Sequence, residues 1–141
     1  MSYRSASDSR CCSPGEVPYI WRTFYDLQHP SVRELEEWLN SLSPFNRMHE
    51  LGRIDDLFDK AANGQLWDSN DSKTPIKPIN SDPELFELRH TALKKPLRFY
   101  HAEPPRYPRY LIGLHKHIKS SPDSQQSEIE FAIRSYRAQG I

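Results

Sequence analysis

The chain has 141 residues, with 36% hydrophobic residues and 19 Lys+Arg against 19 Asp+Glu, enough for one domain with a lean core. No apolar run approaches the roughly 18 residues that span a bilayer, and the polar stretch Met1–Arg10 lacks the apolar centre of a secretory signal. The two cysteines, Cys11 and Cys12, are adjacent and cannot staple a fold, so a reducing cytoplasm is the expected compartment. The zero net charge is a cancellation: residues 1–83 carry 9 Lys+Arg against 13 Asp+Glu, and residues 84–141 carry 10 against 6. The stretch 89–119 is the cationic extreme, holding Arg89, Lys94, Lys95, Arg98, Arg106, Arg109, Lys116 and Lys119 against Glu103 alone, with four of the six histidines. Such a segment points to an anionic partner on one side of the molecule.

In chain order, residues 1–17 are Ser-rich and aperiodic, which predicts a disordered leader before a domain over 18–141, with Cys11 and Cys12 incidental to the tail. Residues 19–25 are aromatic and β-favouring and read as a first strand. Pro30 opens a helix with Ser31 and Glu34 as a capping box, and Val32, Leu35, Trp38, Leu39 and Leu42 form its stripe. Ser43 and Pro44 start a second helix with a stripe of Phe45, Met48, Leu51, Ile54, Leu57, Phe58 and Ala61, stopped at Asn63-Gly64. Residues 64–83 are turn-rich and read as a long connector. Three strands follow, at 84–90, 97–101 and 109–119, as an antiparallel meander, and Ile129, Ala132, Ile133 and Tyr136 mark a last helix. The expected class is α+β, ordered β-α-α-β-β-β-α, with all helices on one face of a small antiparallel sheet.

Strand alternation then places Arg89, Arg98, Tyr100, His115, His117 and Lys119 on the opposite, open face, and His101 on the buried one. That set suits RNA cleavage by its own 2′-hydroxyl. Such cleavage needs a base for the 2′ proton, cations for the five-coordinate phosphorus and an acid for the leaving 5′ oxygen. Histidine exchanges protons near neutral pH, arginine grips phosphate oxygens bidentately, and tyrosine stacks on an unpaired base. No cofactor is implied and no zinc-type Cys/His spacing is present; His115-x-His117 has no carboxylate or cysteine beside it in the sequence.

The runs Glu87-Leu88-Arg89, Arg98-Phe99-Tyr100, Leu114-His115 to Lys119 and Glu128-Ile129-Glu130 to Arg134, with Thr74–Ile79 leading in, resemble the RelE/HigB-like toxin superfamily. The resemblance is to its phage-derived HigB-like branch and covers about residues 18–138. It implies a compact α+β toxin of a type II toxin–antitoxin system that enters the ribosome and cuts translated mRNA. It also implies restraint by a cognate antitoxin, often a helix-turn-helix protein, and no membrane. Carried over by position, Arg98, His115, Lys119 and Arg89 are the expected catalytic residues. Tyr100, Lys116, His117, Lys94 and Lys95 are the expected RNA-binding ones. Ser120 stands where the family has a second lysine. That position and the neutral charge keep an alternative open: a non-catalytic inhibitor or binding module on the same fold, such as a ParE-like gyrase poison or a phage host-interaction protein.

Overall fold

The strands hydrogen-bond into one five-stranded sheet with the order β1-β5-β4-β3-β2. The computed structural model describes residues 5–140, so Met1–Arg4 of the expected leader and Ile141 lie outside the described residues. The elements are β1 (Ile20–Thr23), α1 (Pro30–Ser41), α2 (Pro44–Ala62), β2 (Ile76–Pro78), β3 (Leu85–Ala92), β4 (Lys95–Ala102), β5 (Tyr110–Ile118) and α3 (Pro122–Ala138). The class is α+β with a mixed sheet. The β3-β4-β5 meander is antiparallel, as the short connections require, but β1 pairs parallel with β5. The connector 64–83 contributes β2, whose Pro78 sits on an edge strand where a missing N–H costs nothing.

The helices divide between the two faces, and this corrects the expectation that they share one. Leu35 and Leu39 of α1 and Leu57 and Ala61 of α2 pack with Phe86, Leu88, Leu97, Phe99 and Leu111 of the sheet. Ala132 and Tyr136 of α3 pack on the other face with Leu85, Tyr100, Ala102, Ile112 and Leu114. The sequence reading failed here because a register shift falls between Tyr100 and His101 against β5. Tyr100 opposes His115 while Ala102 opposes Ile112, so Ile112 joins His115 on the α3 face instead of opposing it. That shift gives the second face an apolar patch for a helix to cover.

Helix starts follow the local chemistry. Ser43 caps α2, and Ser121 forms a capping box with Ser124 at α3, each followed by Pro at the first helical position. At α1 the cap is His29, whose Nδ1 accepts from the Ser31 amide, and Ser31 instead donates its hydroxyl to Glu128 of α3. The first half of the α2 stripe finds no core: Phe45 and Met48 are 78% and 76% exposed. Among the described residues, no helix is long and apolar enough to cross a membrane.

The segment expected to be a loose leader is anchored to the fold over residues 6–12. It makes two 3-10 turns, Ala6–Asp8 and Arg10–Cys12, and Ala6, Ser9 and Cys11 are fully buried. The Leu66 amide donates to Cys11 O, and Arg10 donates to the carbonyls of Pro104, Tyr107 and Tyr110. Its low hydropathy misled the reading, because polar side chains hold it in place. Gly64, in the left-handed region at φ +68°, ends α2, and a Cβ there would lie 2.5 Å from Pro14 N. Gly64→Ala is therefore expected to lower unfolding free energy by at least about 2 kcal/mol. Gly52→Ala, with open space around it in mid-helix, is expected to add about 0.5–1 kcal/mol. Urea denaturation of the two variants checks both signs.

Candidate functional site

The expected cationic face exists, but it is not bare. β3, β4 and β5 bring Arg89, Arg98, Tyr100, His115 and His117 to one face through the pairs Arg89↔Arg98, Arg98↔His117 and Tyr100↔His115. The rings of Tyr100, His115 and His117 stack across the strands, with Tyr100 and His117 centroids 5.5 Å apart. α3 lies over them. Tyr100 and His115 are 0% exposed, His117 2% and Arg98 8%, which corrects the reading of an open surface. The physical reason is the apolar patch of Ile112, Leu114 and Ala102, which draws Ala132 and Tyr136 down onto this face.

The remaining expected contacts disperse. Lys116 points to the α1–α2 face, where it pairs with Glu36 and lies over the Tyr25 ring. Lys94 and Lys95 are exposed at the β3–β4 turn, with Lys94 at φ 70°. Lys119 follows β5, its amide donating to Pro96 O and its side chain half-buried.

Two groups on α3 complete the site: Glu128, which the sequence offers only as part of the family-like run 128–134, and Gln125, which it does not single out. Gln125 donates to Glu87 Oε2 at 2.9 Å and reaches the Tyr100 hydroxyl at 3.4 Å. Glu128 Oε2 meets His115 Nε2 at 2.5 Å, and its other oxygen accepts from Ser31. Their signal was the spacing 125, 128, 132, 136, which extends the apolar stripe of α3 toward its N-terminus with polar residues. Glu87 also holds Arg89 at 3.0 Å and Arg98 at 3.7 Å. Arg98 Nε and His115 Nδ1 are buried without a hydrogen-bond partner.

The electrostatics follow from burial. Desolvation lowers the Arg98 guanidinium and raises the Tyr100 phenol, the latter aided by the charge of Glu87. Burial alone would raise the Glu128 carboxyl, but the bonds from His115 and Ser31 hold it below its ordinary value. His117 is pushed down to about 4 by burial. Its partners suit the neutral ring: Nδ1 lies 3.2 Å from Ile118 O, and Nε2 lies 2.8 Å from the Tyr100 hydroxyl. The carbonyl can only accept, so Nδ1–H donates there and Nε2 accepts from Tyr100.

His29, His115 and Glu128 offer ligand atoms within 4.8 Å of one another. The fold thus brings to His115 the carboxylate that the sequence spacing did not supply. As arranged, Glu128 is engaged by hydrogen bonds from two elements and His29 by its capping role. The face therefore combines two guanidinium groups, two imidazoles and a phenol, able to bind an anion and exchange a proton wherever α3 does not cover it. Compared with known protein families, characterised proteins and solved structures, the chain matches none.

His117 makes stability depend on pH. Its folded pKa lies below the unfolded value of about 6.5, so its contribution is complete above pH 6.5 and is lost as pH falls toward 4. Between pH 7 and 4.5 the loss expected from this group is about 2 kcal/mol. His117→Gln keeps an acceptor for Tyr100 without titrating, so its urea-unfolding curve against pH is expected to be flatter by that amount. Parallel curves for the two proteins would remove His117 as the cause.

Proposed function

We propose that the chain is a RelE/HigB-like toxin that cleaves translated mRNA by 2′-hydroxyl attack, without a metal at this site, from a state in which α3 has moved off the sheet. The observation that carries this reading is the convergence of Arg89, Arg98, Tyr100, His115 and His117 on one sheet face, with His115 Nδ1 lacking a hydrogen-bond partner and Arg98 Nε held only by its 3.7 Å ion pair with Glu87. An unmet buried polar atom costs free energy that a phosphate or hydroxyl partner would recover. The order β-α-α-β-β-β-α, interrupted only by the short β2, supports the RelE-like topology.

In this mechanism Arg98 and Arg89 grip the scissile phosphate and stabilise the developing charge. His115, or Lys119 at the end of β5, carries the proton, and Tyr100 stacks on an unpaired base. α3 can serve as the cover because its grip on the face is largely polar: Gln125 to Glu87, Glu128 to His115, Tyr136 to Glu84 and Arg137 to Asp82. Its buried apolar side chains among the described residues are Ala132 and Tyr136, with Ile129 and Ile133 half-buried beside them and Phe131 packed on the His29 and His115 rings. Water can replace polar contacts at little net cost, whereas apolar burial cannot be replaced. The expected partners are the ribosome with its mRNA and a cognate antitoxin.

A second reading, a non-catalytic inhibitor on the same fold, is favoured by the covered face and by the exposed Phe45 and Met48 of α2. Mapping mRNA 5′ ends after induction of the chain separates the two. New ends within translated codons are expected for the wild type. Arg98→Ala should reduce them at least about 100-fold, with circular dichroism confirming the fold, and Lys119→Ala should reduce them about tenfold. Growth arrest without new ends would support contact inhibition, and unimpaired growth would defeat both readings.

A further inference from the structure

A second cluster of reactive side chains lies on the opposite side of the sheet from α3, where the N-terminal segment meets the end of β4. Cys11 Sγ is 3.6 Å from His101 Nε2 and 3.7 Å from Glu103 Oε2, and the latter two atoms are 2.8 Å apart. Cys11 and His101 are at most 1% exposed and Glu103 7%. We propose that Cys11, His101 and Glu103 form a structural binding site for a thiophilic divalent cation, with zinc the best fit, that fastens the N-terminal segment to the sheet.

The geometry argues for this directly. A triangle with those three sides has a circumradius of about 2 Å. An ion just off its plane would therefore sit at the roughly 2.0–2.3 Å that zinc takes from nitrogen, oxygen and sulfur. A thiolate, an imidazole and a carboxylate are all zinc ligands. Thiolate and carboxylate together cancel the charge of a divalent ion, so the filled site is neutral, as a buried site requires. The surroundings hold the ligands in place. Arg10 N donates to Glu103 Oε1, and Ser9 Oγ, fully buried, lies 2.5 Å from Oε2. The His101 ring is fixed between Trp21, in a T-shaped contact, and Phe86, on which it stacks. Ser9 Oγ is committed to Glu103 and to the Cys11 amide, so a water would supply the fourth ligand.

A nucleophilic role fits less well. A cysteine–histidine–carboxylate relay uses both ring nitrogens, one toward each partner. Here Cys11 and Glu103 converge on the same Nε2, while Nδ1 has no partner. Three donors aimed at one point describe a ligand set. Without an ion the thiol stays protonated, because burial and the charge of Glu103 both raise it. Binding would release that proton and form the sulfur–metal bond, so affinity should rise with pH. The ligands are separated by 90 residues, which is why no zinc spacing appears in the sequence.

The test uses the full chain stripped with a chelator, then titrated with zinc or cobalt(II). One equivalent of zinc is expected to raise the unfolding temperature by at least about 5 °C and to protect one of the two thiols from alkylation. Cobalt(II) is expected to give an intense four-coordinate visible spectrum with a thiolate charge-transfer band. Cys11→Ser should lose both effects and Cys12→Ser should keep them. The proposal is overturned by a wild-type cobalt spectrum without a thiolate band, by binding that survives Cys11→Ser, or by loss of binding in Cys12→Ser. The wild-type spectrum decides the matter even if Cys11→Ser fails to fold.

Discussion

The structure turns on how α3 meets the sheet. A helix that buried only apolar side chains would be a fixed part of the core. α3 instead straddles two surfaces: Ala132 and Tyr136 reach an apolar patch, while Gln125 and Glu128 reach guanidinium, phenol and imidazole groups. Burying those polar groups is tolerable only because each has some partner, and two of their atoms lack a hydrogen bond. The same contacts that seal the face therefore make its sealing conditional.

This arrangement reconciles a cationic strand face with a chain of zero net charge. Glu87 sits between Arg89 and Arg98, Glu128 against His115 and Glu36 against Lys116. Of the eight cations in the stretch 89–119, Arg89, Arg98 and Lys116 are thus paired within the fold by acidic residues that precede the stretch, while Glu103 and Glu128 engage its histidines. An anion competing for the face must displace those carboxylates, and displacing Glu128 also loosens its tie to Ser31 of α1.

Much of this was legible in the sequence, for reasons that also mark where legibility stopped. The meander, the two adjacent helices and the caps at Ser43 and Gly64 follow from periodicity and turn chemistry, which act locally. The grouping of Arg98, Tyr100 and His117 follows from strand alternation. The sealing of that face does not, because one irregularity after Tyr100 moved Ile112 across the sheet and gave α3 somewhere to land. The packed N-terminal segment was hidden for another reason: Ser9, Arg10 and Cys11 are anchored to Glu103 and neighbouring carbonyls more than 90 residues away. No local pattern encodes partners at that distance.

Native-state hydrogen exchange on the intact chain tests most directly whether α3 is a separable cover. Amides of residues 125–136 are expected to exchange through an opening that costs clearly less than global unfolding, while Phe99 and Tyr100 of β4 exchange only with the whole molecule. Equal protection of α3 and β4 at the global value would contradict the account, leaving the Arg98–His115 face a permanent part of the interior.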